Sequence, residues 1–221
     1  MGTVLEMRYA AAIALICALS ACGNQTDSLG GTDVAKALFS ATTARATGTA
    51  PGNSLGLTRQ ALEQVVTPVQ LATIDQRGQQ ALLGELEANQ DVVTWSTLDD
   101  VTVSFRNGVI VATRGLGNDL MAAAGPAVQG RSGTVNRVYT HLNGEDQPVR
   151  RTFACTVLPR GTETIEIIEI AYVTSRVSES CTSGDLTFQN DFWLSSDQKL
   201  RKSRQWISED VGFLTIEDLR R

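Results

Sequence analysis

The chain reads as a mainly β protein: a single antiparallel domain, a β-sandwich or barrel-like, with a few short helices near its N-terminal part. Three observations predict this. From about residue 91 onward, apolar residues recur at every second position. Turn signals separate these runs, and two of them are the Asn-Gly pairs Asn107-Gly108 and Asn143-Gly144. Short strands joined by short turns argue for antiparallel pairing in a sandwich or a barrel.

The first 21 residues stand outside that fold. Arg8 and the N-terminal amine give a positive start, offset in part by Glu6, and an apolar run over 10–19 follows. Small residues then lead into a cysteine. Leu19-Ser20-Ala21-Cys22 matches a lipobox, in which the Cys22 thiol receives a diacylglycerol and becomes the first mature residue. The plainer alternative is an ordinary signal cut near Ala21. The apolar run is too short to span a bilayer, and nothing later approaches about 20 apolar residues. A lipid anchor is therefore the expected membrane attachment, with several acyl chains holding far better than one. Gly23 and Asn24 follow the cysteine. The lack of aspartate at the second mature position leans toward the outer membrane, facing the periplasm, over the inner membrane.

Residues 22–56 read as the lipidated N-terminus and a flexible tether. Gly, Ser, Thr, Asn and Ala dominate there, with Gly30-Gly31 and Pro51-Gly52 as breakers. Within it, 33–45 has the pattern of a helix capped by Thr32 or Asp33. Residues 57–221 form the β-rich domain. Removal of the signal leaves about 200 residues, enough for one domain with a substantial core.

Thr58 is placed to cap a helical turn carrying Ala61, Leu62, Val65 and Val66, which Pro68 ends. Residues 69–75 fit a helix or a strand, with Val69, Leu71 and Thr73 at alternate positions. The stretch 80–87, with Leu82, Leu83 and Leu86, is equally open. Val101, Val103 and Phe105 then alternate into Asn107-Gly108, and Val109, Val111 and Thr113 continue beyond it. A brief helix is expected over 119–124, capped by Asn118 or Asp119. The second hairpin runs over 137–142, Asn143-Gly144 and 149–157. In Ile165, Ile167, Ile168, Ile170 and Tyr172 the alternation changes phase, which a β-bulge at Ile167-Ile168 would absorb. Strands over 186–188 and 192–194, a turn at 195–198, and strands over 200–207 and 213–216 complete the chain.

The formal net charge of −5 argues against general binding to nucleic acid or anionic lipid. Cys17 leaves with the signal and Cys22 is assigned to lipid, so Cys155 and Cys181 remain. In an oxidising compartment these most simply form one disulfide, the alternative being two buried thiols. With His141 the only histidine and no third thiol, neither a metal site nor a cofactor is expected.

Several motifs imitate enzymes. Gly52-Asn53-Ser54-Leu55-Gly56 spells a nucleophile elbow, but polar, small residues precede it where a buried strand is needed. Gly115-Leu116-Gly117 follows a strand as a dinucleotide fingerprint would, yet Leu120 stands at the third glycine and no βαβ pattern follows. These glycines read better as a tight exit from the hairpin. Asp99-Asp100 and Glu145-Asp146 sit beside turns, and adjacent strand residues point to opposite faces, so neither suits a glycosidase pair. Trp95, Phe192, Trp193, Trp206 and Phe213 read first as core and second as a sugar-stacking surface. Lys199, Arg201, Lys202 and Arg204 read first as a solvated hairpin and second as a basic strip. Trp193, Arg204 and Trp206 are the candidate contacts for a glycan or a partner.

Three segments carry a resemblance. They are Thr113-Arg114-Gly115-Leu116-Gly117-Asn118-Asp119-Leu120, Asn190-Asp191-Phe192-Trp193 and Ser203-Arg204-Gln205-Trp206-Ile207. Behind a lipobox and around a cysteine pair, this order resembles the YjbF-type group 4 capsule polysaccharide lipoproteins, from about residue 33 to Arg221. Ser208-Glu209-Asp210 departs from the proline- or glycine-rich turn found there in many members. The resemblance implies a mainly antiparallel β domain that assists production or export of capsular or extracellular polysaccharide. It implies no catalytic residues. The expected partners are the membrane through the anchor, a polysaccharide and an outer-membrane export component. A periplasmic glycan-modifying enzyme and a purely structural envelope protein are the alternatives.

Overall fold

The computed structural model describes residues 54–128 and 132–220. The expected signal, Cys22, the helix over 33–45 and nearly all of the tether lie outside the described residues, as do Gly52 and Asn53 of the elbow-like motif.

The domain opens with one short helix, α1 (Arg59–Leu62), and continues as strands alone. They are β1 (Val69–Ile74), β2 (Gln79–Asn89), β3 (Val92–Ser96), β4 (Thr102–Arg106), β5 (Val109–Arg114), β6 (Ala122–Ala124), β7 (Gly133–Leu142), β8 (Pro148–Ile167), β9 (Ile170–Ser183), β10 (Leu186–Ser195), β11 (Leu200–Ser208) and β12 (Gly212–Asp218). All twelve join in one antiparallel sheet in the order β5-β4-β3-β2-β1-β12-β11-β10-β9-β8-β7-β6. Every pairing links sequence neighbours except β1 with β12. The sheet curls into a nearly closed barrel. At the seam between its edges, the Thr113 amide donates to the Leu120 carbonyl at 2.9 Å.

Local chemistry explains most elements. Thr58 Oγ1 accepts from the Ala61 amide at 3.2 Å and starts α1, which ends well before Pro68. The two open stretches are both strand. Their consecutive apolar residues obscure the alternation because both faces of β1 and of β2 around Leu82-Leu83 are covered. Ala72 and Leu83 pack into the main core, whereas Leu71 and Leu82 pack against Leu57 and Leu62. Asn107 and Gly108 take φ of 51° and 76°, so the β4–β5 turn is the expected two-residue type.

Four expectations are corrected. Asn143-Gly144 does not make a two-residue turn; Leu142 pairs with Pro148, and Asp146 is the left-handed residue at φ 59°. Asn143 Oδ1 accepts from the Glu145 and Gln147 amides at 3.0 and 2.9 Å and so stabilises the longer loop. The phase change at Ile167-Ile168 marks a chain reversal instead of a bulge. Ile167 pairs with Ile170, and Ile168 and Glu169 form the turn at φ 40° and 65°. No helix occupies 119–124, since β6 begins at Ala122. The Asp119 carboxylate accepts from the Gly115 and Leu116 amides and the Thr113 hydroxyl, tying a loop rather than capping a helix. Gly115 and Gly117, at φ 90° and 105°, provide the tight exit. Finally, residues 186–188 and 192–194 belong to one unbroken strand, β10.

The interior is layered. Toward one end, Tyr139, Phe153, Phe188 and Trp206 form a ring cluster in which Phe188 and Trp206 stack at 4.5 Å. Cys155 and Cys181 pair directly across β8 and β9 and are joined by a disulfide. Beside it lies a buried polar group. Arg137 Nε donates to Glu179 Oε1 and Oε2 at 2.7 and 2.8 Å, and Asn190 Nδ2 donates to Glu179 Oε2 at 3.0 Å. Burial pushes the Tyr139 phenol up to about 12, with Glu179 adding to the effect and Arg137 and Asn190 opposing it.

Arg59 fixes α1 to the barrel. Its guanidinium donates to the carbonyls of Leu219 (2.7 Å), Ile167 (3.0 Å) and Ile168 (3.0 and 3.2 Å), so one buried cation ties α1, the β8–β9 turn and the end of β12 together.

Candidate functional site

The three candidate contact residues do not form one surface. Trp206 is 7% exposed inside the ring cluster, and its backbone amide donates to Asn190 Oδ1 at 2.8 Å just beyond the Asp191–Arg204 pair that ends the β10–β11 ladder. Trp193 lies on the outer side of β10 yet is also 7% exposed. Its indole donates to Glu163 Oε2 at 3.0 Å, and Arg176 and Lys202 stand over the ring at 5.1 and 5.8 Å. Arg204 is bound to Asp75 at 2.6 Å and covers the Phe213 ring at 3.6 Å. The broader aromatic set is core, with Phe192 fully buried and Trp95 only 5% exposed.

The basic strip dissolves into ion pairs. Lys199 meets Asp197 at 3.3 Å, Lys202 meets Glu217 at 2.8 Å, and Arg201 lies 3.7 Å from both Asp197 and Asp218. The Ser195 hydroxyl holds the Asp197 carboxyl down at about 2, with desolvation opposing it and Lys199 adding to the lowering. Strand alternation separates the cations as well, placing Arg201 on the inner face and Lys202 and Arg204 on the outer.

The Cys155, Glu179 and Cys181 side chains lie within 4.8 Å of one another. The sulfurs are bonded together, so they offer no thiolate to a metal. Asp99, Asp100, Glu145 and Asp146 are exposed beside turns. His141 contacts the Ile207 carbonyl at 2.8 Å and has no carboxylate or serine partner among the described bonds.

The concave feature with chemistry is the lower half of the barrel interior. A cavity of about 470 Å³ opens where the β2–β3, β4–β5 and β10–β11 turns gather. That size falls within the ordinary range for small-ligand sites, about 300–1,000 Å³. Trp95, Phe105 and Ile216 give it an apolar floor, and Gln70, Ser203 and Asp218 line its walls. Glu85 and Gln90 stand toward the mouth. Ser203 Oγ accepts from Gln205 Nε2 at 3.0 Å, and Asp218 is bound by Arg220 at 3.0 Å as well as by Arg201. Gln70 Oε1 has no hydrogen-bond partner among the described residues.

Of these residues, sequence reading had singled out Trp95 and, at the mouth, Lys199, Arg201 and Lys202. It missed Gln70, Glu85, Phe105 as a wall, Ser203 and Asp218. A signal for them existed: Gln70 shares the phase of Ala72, and Asp218 that of Leu214 and Ile216. Polar residues at inward positions mark a hollow or a network.

A family model described as group 4 capsule polysaccharide lipoprotein gfcB, YjbF, matches residues 31–219. The crystal structure of the hypothetical lipoprotein YmcC from Escherichia coli K12 superposes with a TM-score of 0.66 at 18% identity. It covers 80% of this chain and 98% of its own, so the two share a fold. No curated protein matches the chain in sequence.

Proposed function

The chain belongs to the YjbF family of group 4 capsule polysaccharide lipoproteins, and from that premise we propose that it is a non-catalytic accessory lipoprotein for production or export of capsular or extracellular polysaccharide. Cys22 carries the acyl chains, residues 22–56 form the tether, and the barrel works in the periplasm at the inner surface of the outer membrane. The observation that carries this reading is the lipobox joined to a family defined by capsule polysaccharide. The pairing of the two buried interior carboxylates, unlike the exposed Glu85 at the mouth, supports the non-catalytic reading. Glu179 is neutralised by Arg137, and Asp218 by Arg201 and Arg220. General acid–base work on a glycosidic bond needs carboxylates whose protons are free to move.

The test is deletion of the gene with measurement of surface polysaccharide, complemented by wild type and by Cys22→Ala. Loss on deletion, restored by wild type and not by Cys22→Ala, is the expected result. Unchanged surface polysaccharide overturns the proposal. A Cys22→Ala protein that stays membrane-bound by the same route overturns the anchor.

A further inference from the structure

We infer that the cavity in the lower half of the barrel binds an uncharged saccharide, a reading that rests on the polysaccharide role proposed above and gives it a site. Three observations converge on that chemistry. The floor is aromatic and apolar through Trp95 and Phe105, and the walls carry amides and carboxylates. This suits a ring that buries C–H groups while presenting hydroxyls to polar walls. Next, the charged residues lining the cavity are already paired, with one exception. Arg201 and Arg220 serve Asp218, Lys199 serves Asp197, Lys202 serves Glu217, and Asp91 is held by Arg106 at 2.9 Å. Glu85 lines the cavity with no basic partner among the described ion pairs. No unpaired cation among the described residues that line the cavity therefore waits for a carboxylate or phosphate, and the remaining anion repels one. A free carboxylate does accept charge-assisted bonds from sugar hydroxyls. Lastly, nothing among the described residues fixes the carbonyl end of the Gln70 amide. Turning about its last torsion, that amide can offer a guest either a donor or an acceptor.

Gln70 also makes the inference testable apart from folding. An unpaired buried polar group costs stability, so Gln70→Leu is expected to leave the barrel as stable as wild type or more so. If the amide serves a ligand, the same change weakens binding about tenfold. The full lipidated chain, in micelles of a detergent without a sugar headgroup, is titrated with maltotriose, chitotriose and trigalacturonate. Short oligomers hydrolysed from the host's own surface polysaccharide complete the set. The readout is the indole N–H resonance of Trp95, identified by its absence in Trp95→Phe. Saturable shifts with at least one neutral probe or host oligomer, weakened by Gln70→Leu and by Glu85→Gln, are the expected result. No shift with any probe, undiminished binding in Gln70→Leu, or tighter binding of trigalacturonate than of every neutral probe overturns the inference. Loss of surface polysaccharide on gene deletion, with no sugar bound here, removes this site and leaves the accessory role. Binding here, with normal surface polysaccharide on deletion, does the reverse.

Discussion

Arg137 Nε lies 2.7 and 2.8 Å from the two carboxylate oxygens of Glu179, and the two side chains are 1% and 0% exposed. Removing one partner of so buried a pair leaves the other charge unpaired, at a cost of about 3–5 kcal/mol. Arg137→Met and Glu179→Gln are each expected to be strongly destabilising. Combined, they are expected to cost less than the sum of the two. Urea unfolding of both singles and the double checks this, and simple additivity would refute the coupling. Gly125 belongs to the same prediction. A β-carbon there would sit 2.8 Å from Arg137 Nη1, so Gly125→Ala is expected to disturb the pair and lower the unfolding midpoint.

The Cys155–Cys181 bridge closes a sequence separation of 26. On the chain-entropy account a loop of this length stabilises the fold by about 3.5 kcal/mol. Cys155→Ala with Cys181→Ala is expected to lose that amount in urea unfolding and to show no further loss when reductant is added. Wild type is expected to lose a similar amount on reduction.

Tyr139 gives a prediction at high pH. Its folded value is about 12 against an ordinary 10.0, so the folded state holds the phenolic proton more tightly than the unfolded chain. That stability is fully present below pH 10 and is lost as pH rises toward 12. Unfolding midpoints measured from pH 9 to 12 are expected to fall more steeply for wild type than for Tyr139→Phe. Equal slopes would refute the assignment.

Arg59 gives a local prediction. Arg59→Met leaves the carbonyls of Ile167, Ile168 and Leu219 without their donor, and buried unpaired groups cost about 1–3 kcal/mol each. Hydrogen exchange is expected to accelerate in α1 and around Ile168-Glu169 before it does so in β10. Uniform acceleration throughout the barrel would mean that Arg59 does not act as a local clamp.

The parts legible in the sequence are those set by local chemistry. Asn107-Gly108 needs no neighbour to bend as it does, and Thr58 caps its own helix. The β8–β9 reversal was hidden because Ile168 carries no turn signature. A β-branched residue at φ 40° is held by what surrounds it, here Arg59 on its carbonyl and the Leu71–Leu82 cluster against its side chain. The tight exit at Gly115 and Gly117 was legible, whereas Asp119 read as the cap of a helix that does not form, because its carboxylate is taken up by Thr113, Gly115 and Leu116. The barrel interior was the least legible part. Its cavity draws one to four residues from each of β1, β2, β3, β4, β11 and β12, and strand order decides which of them meet. The partners that absorb the basic strip, Asp218 and Glu217, sit on the strand beside it and were equally hidden.

The pairing of β1 with β12 has a consequence for how the barrel comes into being. The last strand of the chain occupies the middle of the sheet, between the first strand and β11. A chain emerging N-terminus first can zip β1 to β5 and then β6 to β11, hairpin by hairpin. Until Gly212–Asp218 arrives, these remain two half-sheets, each with a bare edge open to any other strand nearby. Closure is therefore a final long-range step, and the interval before it is when the protein most needs protection from its own kind.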